Sequence, residues 1–300
     1  MNFNIVSVGE VLWDLLLTGP QLGGAPANFA YHARALGAEV HFITRVGNDD
    51  YGREIIRRFR DIGLSEATLQ IDETAPTGIA KVVLSGDGLP HFTVLENVAW
   101  DHIAASSEAL AAARAADAIC FNTLAQRCER SRDSIRQLVA ETPSTALRVL
   151  DINFRPPFYS REVIEASLQM ANALKLNDDE LSRLAAMLSL NGSTEQQIER
   201  LAQTFDLRLI ALTRGPEGSL LFQQKGKRWS DCASRPVEVV DTVGAGDSFT
   251  AALVLGLLVK MDLDEINSIA NEVARYVCSQ PGGTPTLPAE FARKFSLSRQ

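Results

Sequence analysis

DTVGAGDSFTAAL, Asp241 to Leu253, sets two glycines around one alanine, directly before an aspartate and an apolar run. Glycine at that density costs backbone entropy, so such a stretch suits a place where something must approach the bare backbone. The apolar continuation AALVLGLLV, Ala251 to Val259, reads as part of a helix and is too short to cross a bilayer. A helix beginning near Asp247 would have free N–H groups and the positive end of its dipole at Gly244-Ala245-Gly246, a setting that favours an anion. Two readings follow. Asp247 stands beside a bound anion and takes a proton from a hydroxyl attacking it, or Asp247 is the N-cap of an ordinary helix.

Working outward, the chain alternates short apolar runs with helical patterns. NIVSVG, Asn4 to Gly9, suits a buried strand, and in GGAPANFAYHARALG residues Ala27, Ala30, Ala33 and Leu36 share one helical face that ends at Gly37. EVHFITRVG, ADAICFNTL, LRVLDIN, NALKLN and RLIALTRG read as further strands, and YGREIIRRFRDIG, SRDSIRQLVAE, DDELSRLAAML and TEQQIERLAQTF as helices between them. The alternation predicts an α/β fold with a mainly parallel central sheet covered by helices on both faces. TGIAKVVLSGDGLPHFTVL, Thr77 to Leu95, breaks the rhythm with two β-rich runs around Gly86-Asp87-Gly88 and reads as a hairpin. With VLWDLLLTG it predicts a small β lid made of approximately residues 11–20 and 77–97, inserted in a single domain spanning 1–300.

The 300 residues are 46% hydrophobic, enough for a large core, and carry 29 Lys and Arg against 37 Asp and Glu, a formal net charge of −8. An acidic chain without basic runs has no electrostatic reason to seek nucleic acid or anionic lipid. The four cysteines and four histidines show no metal-ligand spacing, and the amino-terminal residues lack the basic region of a signal peptide, so a soluble, cytoplasmic protein is expected. Neither the dinucleotide fingerprint nor a GxxxxGK[ST] loop occurs, so phosphate chemistry here must be built without a Walker lysine.

In open parallel sheets ligands gather beyond the carboxyl ends of the strands. The polar residues that follow the apolar runs are therefore the candidates: Asp14, Asn28, Asn122, Asp151, Asn153, Arg155, Asn177, Thr213 to Gly215 and Asp241 to Asp247.

The Asp241–Leu253 stretch resembles, nearly residue for residue, the C-terminal signature of the PfkB (ribokinase-like) carbohydrate kinases. GGAPANFAYHARALG followed by RVGNDDYG resembles their N-terminal signature, LNDDE their NxxE motif, and LTRGPEGSLLF the strand and turn on their nucleotide side. The resemblance implies a ribokinase-like fold and an ATP-dependent sugar kinase. It makes Asp247 the catalytic base, ionised at neutral pH if its pKa stays at the ordinary value of about 4, and the amides of Gly244, Ala245 and Gly246 an anion hole for the moving phosphoryl group. Asn177 and Glu180 would organise Mg²⁺ through water, the alternative being a helix cap and a first-turn acid. Asp14, Gly24 and Asn28 would contact sugar hydroxyls, against a solvated hairpin acid for Asp14 and an N-cap for Asn28.

Arg155, in DINFRPP, could hold a phosphate or sugar oxygen or pair with Asp151. The segment resembles fructokinase-type members, as do Gln126 and Arg127 in FNTLAQR. Thr213, Arg214, Gly215 and Gly218 would lie under the ATP phosphates and ribose. Asn271 would lie near the adenine, or be an exposed helix residue. Asp241, Val243 and Gly282 match the loop that holds K⁺ in some members through backbone carbonyls. The implied acceptor is D-fructose, phosphorylated at O6, with 2-keto-3-deoxygluconate kinase or a ribokinase-like activity as alternatives. A non-catalytic sugar or nucleotide sensor is the rival of a different class. Unpaired lid edges invite a homodimer.

Overall fold

Six of the apolar runs assemble side by side, as their burial on both faces demands. The computed structural model of the protein describes residues 3–16, 19–84 and 90–297, without the side chains of 82–84, 90–92 and 297. The strands in chain order are β1 Asn4–Val8, β2 Leu12–Leu16, β3 Gly19–Gly23, β4 Glu39–Gly47, β5 Leu69–Asp72, β6 Gly78–Leu84, β7 Pro90–Val94, β8 Ala118–Phe121, β9 Leu147–Asp151, β10 Ala173–Asn177, β11 Leu209–Thr213, β12 Ser219–Gln223 and β13 Arg228–Cys232. Among the described residues, nine of them form one sheet in the order β13-β12-β11-β10-β9-β8-β1-β4-β5. From β11 to β5 every pairing is parallel, whereas β12 and β13 fold back as an antiparallel extension. The sequence reading did not anticipate that extension, because a hairpin return needs only the Gly215–Gly218 turn and no helix.

The helices are α1 Ala25–Ala35, α2 Asp50–Asp61, α3 Ser107–Arg114, α4 Glu129–Glu141, α5 Arg161–Met170, α6 Asp178–Leu188, α7 Thr194–Phe205, α8 Ala245–Leu258, α9 Leu263–Cys278 and α10 Ala289–Leu297. They divide between two apolar layers. Ile5 of β1 packs with α1, α2, α8 and α9, while Val6, one residue on, packs with α3 to α7. That is the period-2 alternation of a strand buried on both sides. The predicted face of α1 is present: Ala27, Ala30, Ala33 and Leu36 are at most 2% exposed.

A second sheet has the order β3-β2-β6-β7. Its β2 pairs parallel with β6 and antiparallel with β3, and β6 pairs antiparallel with β7. It takes in Gly19–Gly23, so its amino-terminal part runs past the expected boundary at residue 20, straight into the turn that starts α1. Gly86-Asp87-Gly88 lies outside the described residues. No helix among the described residues is long and apolar enough to cross a membrane.

Helix α8 is buried almost all round from Ser248 to Gly256, which explains its unbroken apolar sequence. It lies against α1 and α9. Gly256 sets its closeness to α9, since a Cβ there would come 2.7 Å from Ile266 Cγ1. Gly256→Val should lower unfolding free energy by about 1–3 kcal/mol through overpacking, measured by denaturant melts. A midpoint equal to wild type would show that the helix pair is not tightly seated there.

Candidate active site

The chain leaves β1 toward β4 on one side and returns through β8 on the other, so the sheet's direction of growth reverses between β1 and β8. Such a reversal opens a crevice at the carboxyl ends of the strands. The residues just past β1, β8, β9 and β10, together with the amino ends of α1 and α8, meet around it.

Asp247 stands at the third position of α8, and Gly244, not Asp247, is the N-cap. The capping reading of Asp247 is therefore excluded. Gly244 holds φ +75°, and a Cβ on it would come 2.1 Å from the Gly283 carbonyl oxygen, so conformation and space both require glycine. The first intrahelical bond runs from Ser248 N–H to Gly244 O. The Gly246 and Asp247 amides precede it and have no partner within the helix. The Ala245 amide reaches Thr242 O at a long 3.4 Å.

Asp247 Oδ2 accepts from Asn28 Nδ2 at 2.8 Å. Asn28, in α1, is buried, and its Oδ1 finds no partner among the described residues. It is not an N-cap either; Gly24 occupies that place. Burial first, and then the charge of Asp151, raise the Asp247 pKa to about 7, against Lys175, the Asn28 bond and Arg155. The expected ordinary value near 4 does not hold, because the carboxylate loses water without gaining a direct cationic partner.

Lys175 was not among the sequence candidates. Its Nζ lies 3.1 Å from Asp151 Oδ1, and Thr250 Oγ1 donates to Asp151 Oδ2 at 2.9 Å. A Cβ on Gly246 would sit 3.0 Å from Lys175 Nζ, so the ammonium lies directly beneath the glycine turn. Burial works against its charge, but Asp151, Glu180 and Asp247 outweigh it and hold the pKa above the ordinary lysine range. The pairing also corrects the structural alternative for Arg155: Asp151 is bonded to Lys175, while Arg155 is exposed and donates to Phe154 O. The signal was a lysine flanked by Leu174 and Leu176 inside an apolar strand, a position that needs an acid nearby.

A cavity of about 460 Å³ opens beside the turn, lined by Ala245, Gly246, Lys175, Asn177, Thr213 and Asn271 among others. Gly215 and Gly218 line it as well. Arg214 does not; its guanidinium turns to Asp231 and Ser219 O. Asn271 is no exposed helix residue, since its Nδ2 donates to Ser219 Oγ at 2.6 Å.

Asn177 and Glu180 form a reciprocal cap on α6: Asn177 Oδ1 accepts from Glu180 N, and Glu180 Oε2 from Asn177 N. Glu180 Oε1 accepts from Phe154 N at 3.2 Å. Each Glu180 oxygen thus spends one lone pair on an amide and keeps capacity for water. This donor set fits a hard cation held mainly by phosphate oxygens and water. Asp241 accepts from Val243 N and Gly282 N, both at 3.0 Å, and so ties two loops together.

On the other side of the turn, Asp14 lies on β2 of the small sheet, half-buried, its carboxylate over Gly23. Burial raises its pKa to about 6, with Arg155 pulling the other way. Gly24 has φ +109°, and a Cβ on it would meet Glu10 O at 2.6 Å. Glu10, also missed, is buried with both oxygens accepting from Asn122 Nδ2 at 2.8 and 2.9 Å. Its burial raises its pKa to about 7. Gln126 and Arg127 are structural here. Gln126 donates internally to Asn122 O and Ser167 Oγ; Arg127 pairs with Asp101 and covers the Trp100 ring.

The model of the pfkB family carbohydrate kinases matches residues 18–290. The chain is 30% identical over 271 residues to the fructokinase of Salmonella typhimurium, covering 86% of this chain and 85% of that protein. To the fructokinase of Solanum tuberosum it is 27% identical over 307 residues, covering 95% and 93%. Among solved structures, an uncharacterized sugar kinase from Pyrococcus horikoshii in complex with ATP superposes with a TM-score of 0.82 at 26% identity, over 97% of this chain and 99% of that one. A fructokinase from Vibrio cholerae shares the fold at 22% identity, with a TM-score of 0.81 over 97% and 98%. With its glycine turn, half-buried acid and ribokinase-like architecture, the chain belongs to the pfkB family of carbohydrate kinases.

Proposed function

We propose that this sugar kinase transfers the γ-phosphate of ATP to the primary hydroxyl of D-fructose, giving fructose 6-phosphate. The observation that carries the reading is Asp247: a half-buried carboxylate held by Asn28 at the free-amide end of α8, between the large cavity and the small sheet. The relatives named fructokinase, at 27–30% identity, support fructose as the acceptor.

In this reading ATP occupies the cavity lined by Thr213, Gly215, Gly218 and Asn271, with its phosphates toward the turn. The sugar lies between the small sheet and α1, its hydroxyls on Asp14, the Gly24 backbone and Asn28 Oδ1, whose buried lone pairs await a donor. The acceptor hydroxyl loses its proton to Asp247 as its oxygen attacks the γ-phosphorus and the bond to ADP breaks. The Gly244–Gly246 turn, with Lys175 below it, offsets the charge on the equatorial oxygens. Mg²⁺, held through water by Asn177 and Glu180, would supply further neutralisation between the phosphates. A K⁺ ion between the Asp241 and Gly282 loops would take backbone carbonyls, because the Asp241 carboxylate is occupied by amides. Closure of the small sheet over the sugar would exclude water from the γ-phosphate.

Arg155 favours one second reading. Its positive charge acts on Asp14, Glu10 and Asp247 from the acceptor side, which also suits a carboxylate-bearing sugar such as 2-keto-3-deoxygluconate. An ADP-release assay with fructose, 2-keto-3-deoxygluconate and ribose separates the two. Fructose should give the highest kcat/KM. Preference for the keto acid would transfer the assignment, and absence of sugar-dependent turnover would leave a sensor.

Asp247→Asn keeps the shape of the base and removes its basicity. Turnover should fall by about 10²–10⁴-fold, with the KM for ATP little changed; near-normal kcat would refute the base assignment. The raised pKa adds a pH signature. The base works only when ionised, so kcat/KM should fall about tenfold per pH unit below about 7 and level off above it. A rate flat down to pH 5 would contradict this.

A further inference from the structure

Helix α1 carries a second polar residue on its buried side, one turn after Asn28. His32 is 0% exposed, shares the helix's buried residues with Phe29, Ala30 and Ala33, and meets the Tyr31 ring edge-on at 5.2 Å between centroids. Its one hydrogen bond among the described residues joins Nε2 to the Gly283 carbonyl oxygen at 2.9 Å, and its Nδ1 is buried without a partner. A carbonyl only accepts, so Nε2 carries a proton; with no acceptor at the buried Nδ1, the neutral ring is the less costly form. Burial agrees with that state, lowering the pKa to about 4.

What His32 holds is the segment that backs the glycine turn. Gly283 presses on Gly244: a Cβ on Gly244 would lie 2.1 Å from Gly283 O and 2.7 Å from Gly283 Cα. A Cβ on Gly283 would meet Val243 Cγ1 at 3.0 Å and the Asn28 side chain at 3.3 Å. Gly283 is thus wedged between the N-cap of α8 and the residue that holds Asp247. Its neighbour Gly282 is bonded to Asp241 at the other end of the same turn.

We infer that His32 is a positioning residue for phosphoryl transfer: by donating from Nε2 to the Gly283 carbonyl it fixes Gly283 behind Gly244, and so sets the direction of the amides at the start of α8. Burying an imidazole with one nitrogen unsatisfied is costly. An orientation that the chemistry needs is a reason to bear that cost. The inference deepens the kinase reading and rests on it for its kinetic consequence, but not for its structural one.

The test compares His32→Leu, which fills the site without a donor, with His32→Gln, whose Nε2 can reach the same carbonyl. In the whole protein, amide hydrogen exchange is followed over residues 240–248 and 280–286, and kcat and KM are measured with the sugar that wild type prefers. His32→Leu should accelerate exchange in both segments and lower kcat about ten- to a hundredfold, with the sugar KM within about twofold. His32→Gln should restore most of both. Unchanged exchange in His32→Leu, or a His32→Gln variant as impaired as His32→Leu, would overturn the inference. The exchange arm decides even if no tested sugar is turned over by wild type, an outcome that would count against the kinase reading alone. If His32→Gln does not fold, exchange in His32→Leu still decides.

Discussion

One hydrogen bond, from Asn28 Nδ2 to Asp247 Oδ2 at 2.8 Å, joins residues 219 positions apart and fixes the relation of the two helices that frame the site. Helix α1 brings the end of the small sheet, through Gly24; helix α8 brings the glycine turn and faces the cavity. Neither helix alone places a carboxylate between these compartments. The close packing of α1 on α8 makes the bond geometrically available, and the bond aims the carboxylate. The rest of the arrangement follows from it.

The same crowding creates an electrostatic problem. Asp247, Asp151, Glu180 and Glu10 gather at the carboxyl ends of the strands, and Lys175 is the buried cation among them. Buried charges are tolerated when paired or hydrogen-bonded. Asp151 is paired; Glu10 is bonded to Asn122 and Glu180 to backbone amides. Asp247 has Asn28 and a dipole end, which leaves its proton affinity high. For a group proposed to accept a proton near neutral pH, a pKa close to the working pH is the useful value. The low-dielectric setting that raises it also strengthens whatever the turn offers a phosphoryl group.

Most of the fold is legible in the sequence because it is carried by local patterns. The 2-residue and 3.6-residue periods, the glycines ending α1 and α2, and the apolar α8 all agree with the observed elements. The site was legible where it is contiguous, as in Gly244 to Asp247 and Gly24 to Asn28. It was not legible where it depends on strands meeting in space. Lys175 and Asp151 face each other only because β9 and β10 pair with Lys175 opposite Asp151. Glu10 meets Asn122 only because β1 neighbours β8. Arg214 shows the converse: its position in the chain suggests the cavity, but the antiparallel return through β12 and β13 supplies Asp231 and turns its guanidinium away. Gln126 and Arg127 likewise follow a strand toward the site, and then the short turn after β8 buries them in the core.

The most direct measurement is a crystal structure of the protein with ADP, aluminium fluoride and the sugar it prefers. The account predicts the fluoride seated against the amides at the start of α8, with Asp247 hydrogen-bonded to the acceptor hydroxyl and Asn28 still bound to Asp247. A fluoride bound away from the Gly244–Gly246 turn, or an acceptor hydroxyl out of reach of Asp247, would contradict it.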